Sequence, residues 1–415
     1  MNKRIGIVGA GVAGLHLGLY LAKRGVEVTI VTDRKPDDYA QLSLLNTVAH
    51  HAVTLQRERE LGITHWQAPE YHYACHHHHF GLPGQTLVFR GDFEQPSRAV
   101  DYRLYLPAVM GDLAAAGASF EFRQVQHTEL PLLAQRFDLL AIAVGKGSLA
   151  QVFPATPGGV PFAAPQRKLC VGLYEGIRAP DPNGVTLSVV PGECELFEIP
   201  TLTFDGMSTA LLCEAIPGSA HEQLHAMSDL ANPFAFQSKL LELLERYHPT
   251  IYARVDTQRF RLKGPRDLLA GALLPTIREP VTHIADKPVI ALGDVHVTMD
   301  PCVGQGANVA SHGAVTVGEA IMTHDSFDAA FVAQINTQRN PRVHGAFHWT
   351  NQHLRPPNPE MVAMILALSR DQALCDEFTN NFNYPERNWQ NLQTPESIRA
   401  WIGPEHLAFA AQALG

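Results

Sequence analysis

The first residues of the chain carry glycines at the spacing that binds a dinucleotide. The run Gly9-Ala10-Gly11-Val12-Ala13-Gly14 follows a short apolar segment and precedes a leucine-rich stretch. In this G-x-G-x-x-G pattern the first glycine allows a tight turn, the second lets the backbone approach a pyrophosphate, and the third allows close helix–strand packing. The free N–H groups at the helix start then face the phosphates. The sequence therefore predicts a dinucleotide-binding βαβ unit.

A second cluster occupies the last third of the chain. Gly293-Asp294 ends an apolar run, and Pro301-Cys302-Val303-Gly304-Gln305-Gly306-Ala307-Asn308 leads into a helix. These residues resemble the second flavin-binding motif of the FAD-dependent aromatic hydroxylase superfamily. The resemblance implies that Asp294 holds the ribitol of FAD and that the Gly-Gln-Gly turn presents backbone N–H groups to the flavin ring. Such donors stabilise negative charge on reduced flavin.

Further cofactor contacts are expected between these motifs. An acid that binds the adenosine ribose is expected about 20 residues after the glycines, a position that falls on Thr32, with Asp33 and Arg34 beside it. Asp33 is either this ribose ligand or a solvated turn residue. Gly145 follows a third buried strand, but the Asp-Gly pair that the superfamily uses with nicotinamide nucleotides is absent there. The sequence predicts that electrons arrive from another protein.

The elements around these motifs predict an α/β chain. The fold expected is a Rossmann-like FAD-binding domain of the aromatic-hydroxylase type, with an inserted β-sheet substrate domain and a helical C-terminal region. Strand-like segments between about 165 and 265 favour an antiparallel sheet. The predicted domains are residues 1–160 (with substrate-layer strands at about 70–100), 161–280, 281–325 as the second part of the FAD domain, and 326–415.

Composition excludes several classes of protein. The chain has 415 residues, 46% of them hydrophobic, with a formal net charge of −9 that argues against nucleic acid. No apolar run reaches the roughly 18 residues that a membrane span needs. Six scattered cysteines without a C-x-x-C pattern are typical of reduced thiols in the cytoplasm.

Longer runs carry a closer resemblance, to the oxygenase subunits of styrene monooxygenases. The runs that carry it are Thr32–Asp37, Leu44–His50, Pro96–Tyr105, Ile199–Leu202 and Asn381–Arg387. The related indole monooxygenases share the fold. The resemblance implies that six residues line the styrene pocket: Asn46, Val48, His50, Tyr73, His76 and Ser97.

The resemblance also implies a two-component system. A separate NADH-dependent reductase would deliver reduced FAD, which reacts with O2 to form a C4a-hydroperoxide that epoxidises styrene to styrene oxide. The protein would exclude water and orient the alkene. Indole, or another aryl alkene or sulfide, remains an alternative substrate, and a non-catalytic FAD carrier remains an alternative of another class. A homodimer is also implied.

Two side chains and one run of residues have competing interpretations. His50 is either a group that hydrogen-bonds the oxidant or a structural histidine. Arg103 either contacts the phosphate or ribitol of FAD or is an ordinary helix-surface arginine. The run Cys75-His76-His77-His78-His79 invites a metal interpretation, but adjacent strand residues point to opposite faces and cannot converge on one ion. No metal is expected.

Overall fold

The computed structural model describes residues 3–46, 49–82, 85–145 and 147–414. Val48, one of the predicted pocket residues, lies outside these ranges. Strands and helices alternate in the first part of the chain, strands dominate the middle, and helices dominate the end. In the described residues, no helix is both long and apolar enough to cross a membrane.

The strands group into two large sheets and one short pair. In chain order they are β1 (Arg4–Val8), β2 (Glu27–Thr32), β3 (Ala49–His50), β4 (His72–Leu82), β5 (Gln85–Val100), β6 (Ser119–Phe122), β7 (Leu139–Ile142), β8 (Lys168–Glu175), β9 (Val185–Val190), β10 (Cys194–Thr203), β11 (Gly206–Ala215), β12 (Arg261–Leu262), β13 (Leu268–Gly271), β14 (Thr276–Ile277), β15 (Val281–Ile284), β16 (Lys287–Ala291) and β17 (Val297–Thr298).

The helices cover the faces of these sheets. In chain order they are α1 (Val12–Ala22), α2 (Ala52–Glu60), α3 (Tyr102–Ala115), α4 (Leu130–Arg136), α5 (Glu222–Ala226), α6 (Pro233–Tyr247), α7 (Pro249–Tyr252), α8 (Gly306–Thr323), α9 (Ala329–His353), α10 (Pro359–Leu368), α11 (Gln372–Asn380), α12 (Pro385–Leu392) and α13 (Pro395–Leu414).

The first sheet has the strand order β15-β16-β7-β1-β2-β6 and is parallel except at its β15–β16 edge. Its central strand β1 is apolar, and Ile5 and Ile7 are fully buried, as expected for a parallel strand covered on both faces. Helices α1 and α8 pack against one face. Both glycine motifs follow the carboxyl ends of strands in this sheet, so the fold brings them together.

The second sheet, ordered β12-β8-β11-β10-β9-β4-β5-β3, holds the predicted antiparallel strands. Its side chains alternate between two cores. Leu196 and Leu211 pack with helices α5 to α7, whereas their neighbours Phe197 and Leu212 pack with the C-terminal helices. The sheet is therefore buried on both faces, because helices cover each side.

The segment from 34 to 100 is more regular than its many His, Pro and Gly residues suggest. The pattern there predicts irregular chain with short strand-like runs, but β4 and β5 form a long antiparallel pair. β4 also pairs in parallel with β9, and β5 with β10. Neighbouring strands thus complete the hydrogen bonding of a segment whose local propensity is weak. The predicted domain boundaries stay predictions.

Candidate functional site

The first glycine motif leaves an open space at its centre. Gly9 has a φ of +112°, and a methyl group on it would lie 2.4 Å from the carbonyl oxygen of Ala143. A methyl group on Gly14 would lie 2.1 Å from the oxygen of Gly9, whereas one on Gly11 would meet nothing closer than 3.8 Å. No side chain caps α1 at Gly11. This geometry fits a pyrophosphate that approaches Gly11 and the helix N–H groups.

The second motif packs directly against the first. Gly293 has a φ of +59°, and a methyl group on it would lie 3.2 Å from Cβ of Ala13 in α1. Asp294 follows in the same turn. Thr32 ends β2 in a buried position, while Asp33 beside it is exposed and lies 3.8 Å from Nε of Arg34. These predicted FAD contacts therefore surround the ends of neighbouring strands.

A short turn links the second motif to α8. Residues Pro301–Val303 form one helical turn, Asp300 accepts a hydrogen bond from the Cys302 amide at 3.2 Å, and Gly304 has a φ of +61°. Gln305 donates from Nε2 to the carbonyl oxygen of Phe382 at 3.0 Å. The turn is thus fixed on both sides, by its own cap and by the C-terminal region.

Asn308 fastens this turn to the segment that contains the predicted pocket residues. Its Oδ1 accepts from the His51 amide at 3.0 Å and from the Thr54 hydroxyl at 2.7 Å. Its Nδ2 donates to the carbonyl oxygens of Ala49 and Gly304, at 2.9 Å each. The side chain of Asn308, predicted as a cofactor ligand, is occupied as a brace between two loops.

A small cavity of about 50 Å³ lies beside the turn. Three of the predicted substrate residues, Asn46, Tyr73 and His76, line it together with Gly304. Hydrophobic side chains from β9, β10 and β11 form the opposite wall. The remaining lining residues are Ala49, His51, Val185, Leu187, Phe197, Ile199, Leu212, Pro301, Cys302, Val303 and Phe382.

His51 is a cavity residue that sequence reasoning missed. Its Nδ1 lies 3.1 Å from Oγ of Ser97, and its Nε2 is buried with no hydrogen-bond partner in the described part of the chain. A methyl group on Gly304 would lie 4.0 Å from this Nε2. Burial lowers the pKa of His51 to about 3, so the ring is neutral at physiological pH. His51 therefore offers one unsatisfied ring nitrogen beside the turn.

His50 occupies a different environment from its neighbour. Its Nδ1 lies 2.6 Å from Oε1 of Glu58, and its Nε2 lies 3.1 Å from the hydroxyl of Tyr102. Glu58 also pairs with Arg98 and accepts from Tyr105 at 2.8 Å. Both ring nitrogens of His50 are thus engaged in a buried network with Glu58 and Tyr102. His50 does not line the cavity.

Arg103 is likewise engaged within the protein. Nε donates to Asp101, Nη2 donates to Asp101 and Asp267 at 2.6 Å each, and Nη1 donates to the carbonyl oxygens of Leu42 and Arg266. These five hydrogen bonds engage the five N–H donors of the guanidinium. These bonds tie α3 to the chain just before β13 of the second sheet, and the contact of Arg103 with FAD phosphate or ribitol stays a prediction. The alternative of a helix-surface arginine is wrong, because Arg103 is buried.

Tyr73 and His76 face the same cavity although strict strand alternation would place them on opposite faces. The pairing register shifts between them, since Tyr73 pairs with Ser97 but Cys75 pairs with Asp92. The rings of Tyr73 and His76 then stack, with centroids 6.2 Å apart. The irregularity in the pairing therefore builds this wall of the pocket.

The other histidines of the run point elsewhere. His78 stacks on Phe89, with centroids 4.9 Å apart, on the side of the C-terminal helices. His77 bonds the carbonyl of Pro182 at 2.8 Å, and His79 bonds the hydroxyl of Thr250 at 2.7 Å. Their rings occupy separate environments, as the strand argument predicts.

A larger cavity of about 950 Å³ adjoins the small one. It lies between the second sheet and helices α9 to α12, and its lining is mainly apolar. Leu187, Phe197, Cys302, Val303 and Phe382 line both cavities. These five side chains therefore form a shared wall between a large apolar space and the chamber beside the turn.

Two known families match separate parts of this chain. Residues 3–124 match the FAD binding domain family, and residues 145–254 match the styrene monooxygenase A substrate-binding domain. The styrene monooxygenase StyA of Pseudomonas fluorescens is 46% identical over 406 residues, which cover 97% of this chain and 98% of that protein. StyA of a Pseudomonas species is 45% identical over the same shares.

Solved structures show the same fold at low identity. The flavin-dependent brominase Bmp2 matches with a TM-score of 0.59 at 15% identity, covering 100% of this chain and 98% of that one. This likeness concerns the fold alone. Together with the family matches it confirms the predicted FAD-binding fold of the aromatic-hydroxylase type.

Proposed function

We propose, because the chain belongs to the styrene monooxygenase family, that it converts styrene, O2 and reduced FAD into styrene oxide, water and oxidised FAD. The chain is an FAD-dependent monooxygenase, the oxygenase component of a two-component system. The observation that carries the choice of substrate is the small chamber with aromatic walls beside the Pro301–Gly304 turn. Apolar walls with few polar groups suit an aromatic hydrocarbon.

The chain's own residues bind the cofactor and shield the reaction. Reduced FAD, delivered by a separate NADH-dependent reductase, would supply the activation of O2 once it is bound. The two glycine motifs hold its phosphates and ring, and buried apolar side chains exclude water from the site. The residues proposed to hold FAD are Gly9, Gly11, Val12, Ala13, Gly14, Thr32, Asp33, Arg34, Gly145, Gly293, Asp294, Pro301, Gly304, Gln305, Gly306 and Ala307.

Within the chamber, Asn46, Tyr73 and His76 are proposed to contact styrene, and His51 is proposed as the polar group that faces the reacting centre. The support for His51 is its unsatisfied Nε2 and the bond that orients its ring through Ser97. His50 and Ser97 are proposed as positioning residues. Val48 stays a predicted pocket residue on its resemblance alone.

The decisive experiment measures styrene oxide made by the purified protein with FAD, NADH, O2 and styrene. An unrelated flavin reductase is either present or omitted. Product only in its presence is expected. Product without it would show that this chain accepts hydride itself. No styrene oxide in either reaction, with hydrogen peroxide accumulating, would refute styrene as the substrate, and indole would be assayed next.

A pair of variants on β11 tests the chamber. Leu212 lines it, whereas Met207 on the same strand is 38% exposed. Leu212→Phe is expected to raise the KM for styrene and to divert oxygen to hydrogen peroxide, because the larger ring fills the space. Met207→Phe serves as the control and is expected to change neither. Equal kinetics in both variants would contradict the assignment of the chamber.

The alternative of a non-catalytic FAD carrier predicts equal affinity for oxidised and reduced FAD. The proposed oxygenase predicts tighter binding of reduced FAD, which anaerobic titration measures.

A cytoplasmic location is proposed on the support of six unpaired, buried cysteines. A homodimer is also proposed, and sedimentation velocity tests it.

A further inference from the structure

A cluster of metal-ligand side chains lies far from the flavin motifs in sequence. Cys194 begins β10, His221 directly precedes α5, and His248 joins α6 to α7. All three are buried, and their ligand atoms lie within 4.8 Å of one another. We propose that Cys194, His221 and His248 form a zinc site that fastens helices α5 to α7 to the second sheet.

Two of the distances within the cluster, both to Nε2 of His248, match the edges of a zinc tetrahedron. Nε2 of His221 lies 3.2 Å from Nε2 of His248, which lies 3.4 Å from Sγ of Cys194. Zinc bonds of about 2.05 Å to nitrogen and about 2.3 Å to sulfur place tetrahedral ligands roughly 3.3 Å (N···N) and roughly 3.6 Å (N···S) apart. Three protein ligands leave the fourth position for a water molecule.

The outer contacts also suit a metal site. Nδ1 of His248 lies 2.7 Å from Oγ of Ser188, and Nδ1 of His221 lies 3.5 Å from Oε2 of Glu193. Groups of this kind orient ligating imidazoles through the nitrogen that does not bind the metal. Glu193 and a Cys194 thiolate together balance the charge of Zn²⁺. Ser188 thereby orients the His248 ring with Nε2 toward the cluster, and Glu193 places a carboxylate beside His221.

Zinc binds the thiolate form of cysteine and the neutral form of histidine. Binding of zinc to this cluster therefore releases the thiol proton of Cys194 to solvent.

The test uses the full chain, stripped with a chelator and reloaded with zinc chloride. We expect one zinc per chain by mass spectrometry, together with a higher melting temperature than the stripped protein has. Replacing zinc by Co²⁺ should give a thiolate charge-transfer band that Cys194→Ser abolishes. His221→Gln should weaken zinc binding more than about 100-fold, beyond the usual 10–100-fold effect of outer-shell changes.

Matched controls separate this site from incidental binding. His225 lies in α5 and bonds the carbonyl of Leu169, so His225→Gln should bind zinc normally. Cys375→Ser alters a buried thiol of the other core and should also bind normally. Glu193→Gln, at a half-buried position, should weaken binding about 10–100-fold without disturbing the fold. Absence of stoichiometric zinc, or equal binding by all variants, would show that the cluster is only a hydrogen-bond relay.

Discussion

Glu58 joins His50, Arg98 and Tyr105 in a buried network, and replacing it by glutamine should lower the free energy of unfolding. Burial alone would raise its pKa, but His50 and Arg98 lower the pKa to about 2 from 4.5. At 1.36 kcal/mol per pKa unit, this difference corresponds to about 3 kcal/mol of stability. Removing one partner of a buried ion pair costs about 3–5 kcal/mol, because the remaining charge is left unpaired. We expect Glu58→Gln to lose about 3 kcal/mol.

Urea unfolding at pH 7 measures this loss directly. Glu60→Gln on the same helix is the control, because Glu60 is exposed and should contribute little. The double variant Glu58→Gln/Arg98→Met should be more stable than Glu58→Gln alone, because the buried charge of Arg98 is then no longer left unpaired.

The pH dependence gives a second measure. Because the folded pKa of Glu58 is depressed, its contribution is complete above pH 4.5 and is lost as the pH falls toward 2. At pH 4 the difference in stability between the wild type and Glu58→Gln should therefore narrow by about 1 kcal/mol. A loss below about 1 kcal/mol at pH 7, or no narrowing at pH 4, would refute this account of the network.

Three further predictions concern FAD binding at Gly14, the hydrogen bonds of Asn308 and the effect of His78 on stability in acid. Gly14→Ala should weaken FAD binding at least about tenfold in a fluorescence titration, because the methyl group would meet the oxygen of Gly9, whereas Gly111→Ala has open space and should not. Asn308→Ala should cost about 2–4 kcal/mol in urea unfolding, since it leaves buried groups of two loops unpaired. Burial lowers the pKa of His78 to about 3 from 6.5. As the pH falls from 6.5 toward 3, the unfolded chain binds a proton at this ring and the folded chain does not, so the folded state loses stability. His78→Phe should therefore gain about 2 kcal/mol relative to the wild type between pH 8 and pH 5, and an unchanged difference would contradict a neutral buried ring.

The cofactor motifs could be predicted from sequence because each is contiguous. The run from Gly9 to Gly14 and the turn from Pro301 to Gly306 carry their own backbone requirements, which glycine satisfies without strain at Gly9 and Gly304. Apolar strands before each motif then determine that both lie at one edge of a parallel sheet. The fold class and FAD as cofactor followed from these residues.

Side-chain environments could not be predicted in the same way. His50 and His51 are adjacent, yet one is bound by Glu58 and the other faces the chamber. Arg103 is held by Asp267, which is distant in sequence. A side chain's direction and partners depend on strand register and on residues that only the folded chain brings near.

The three proposed zinc ligands show the same limit most clearly. Cys194, His221 and His248 are separated by 27 residues at each step and form no local pattern. Nothing short of the packing of α5 to α7 on the second sheet brings their ligand atoms together. The sequence by itself determined the flavin motifs and the class of fold, because these depend on backbone geometry encoded locally. The tertiary structure decided which polar side chains face the chamber, which brace it and which meet far from it, because those contacts arise from long-range packing.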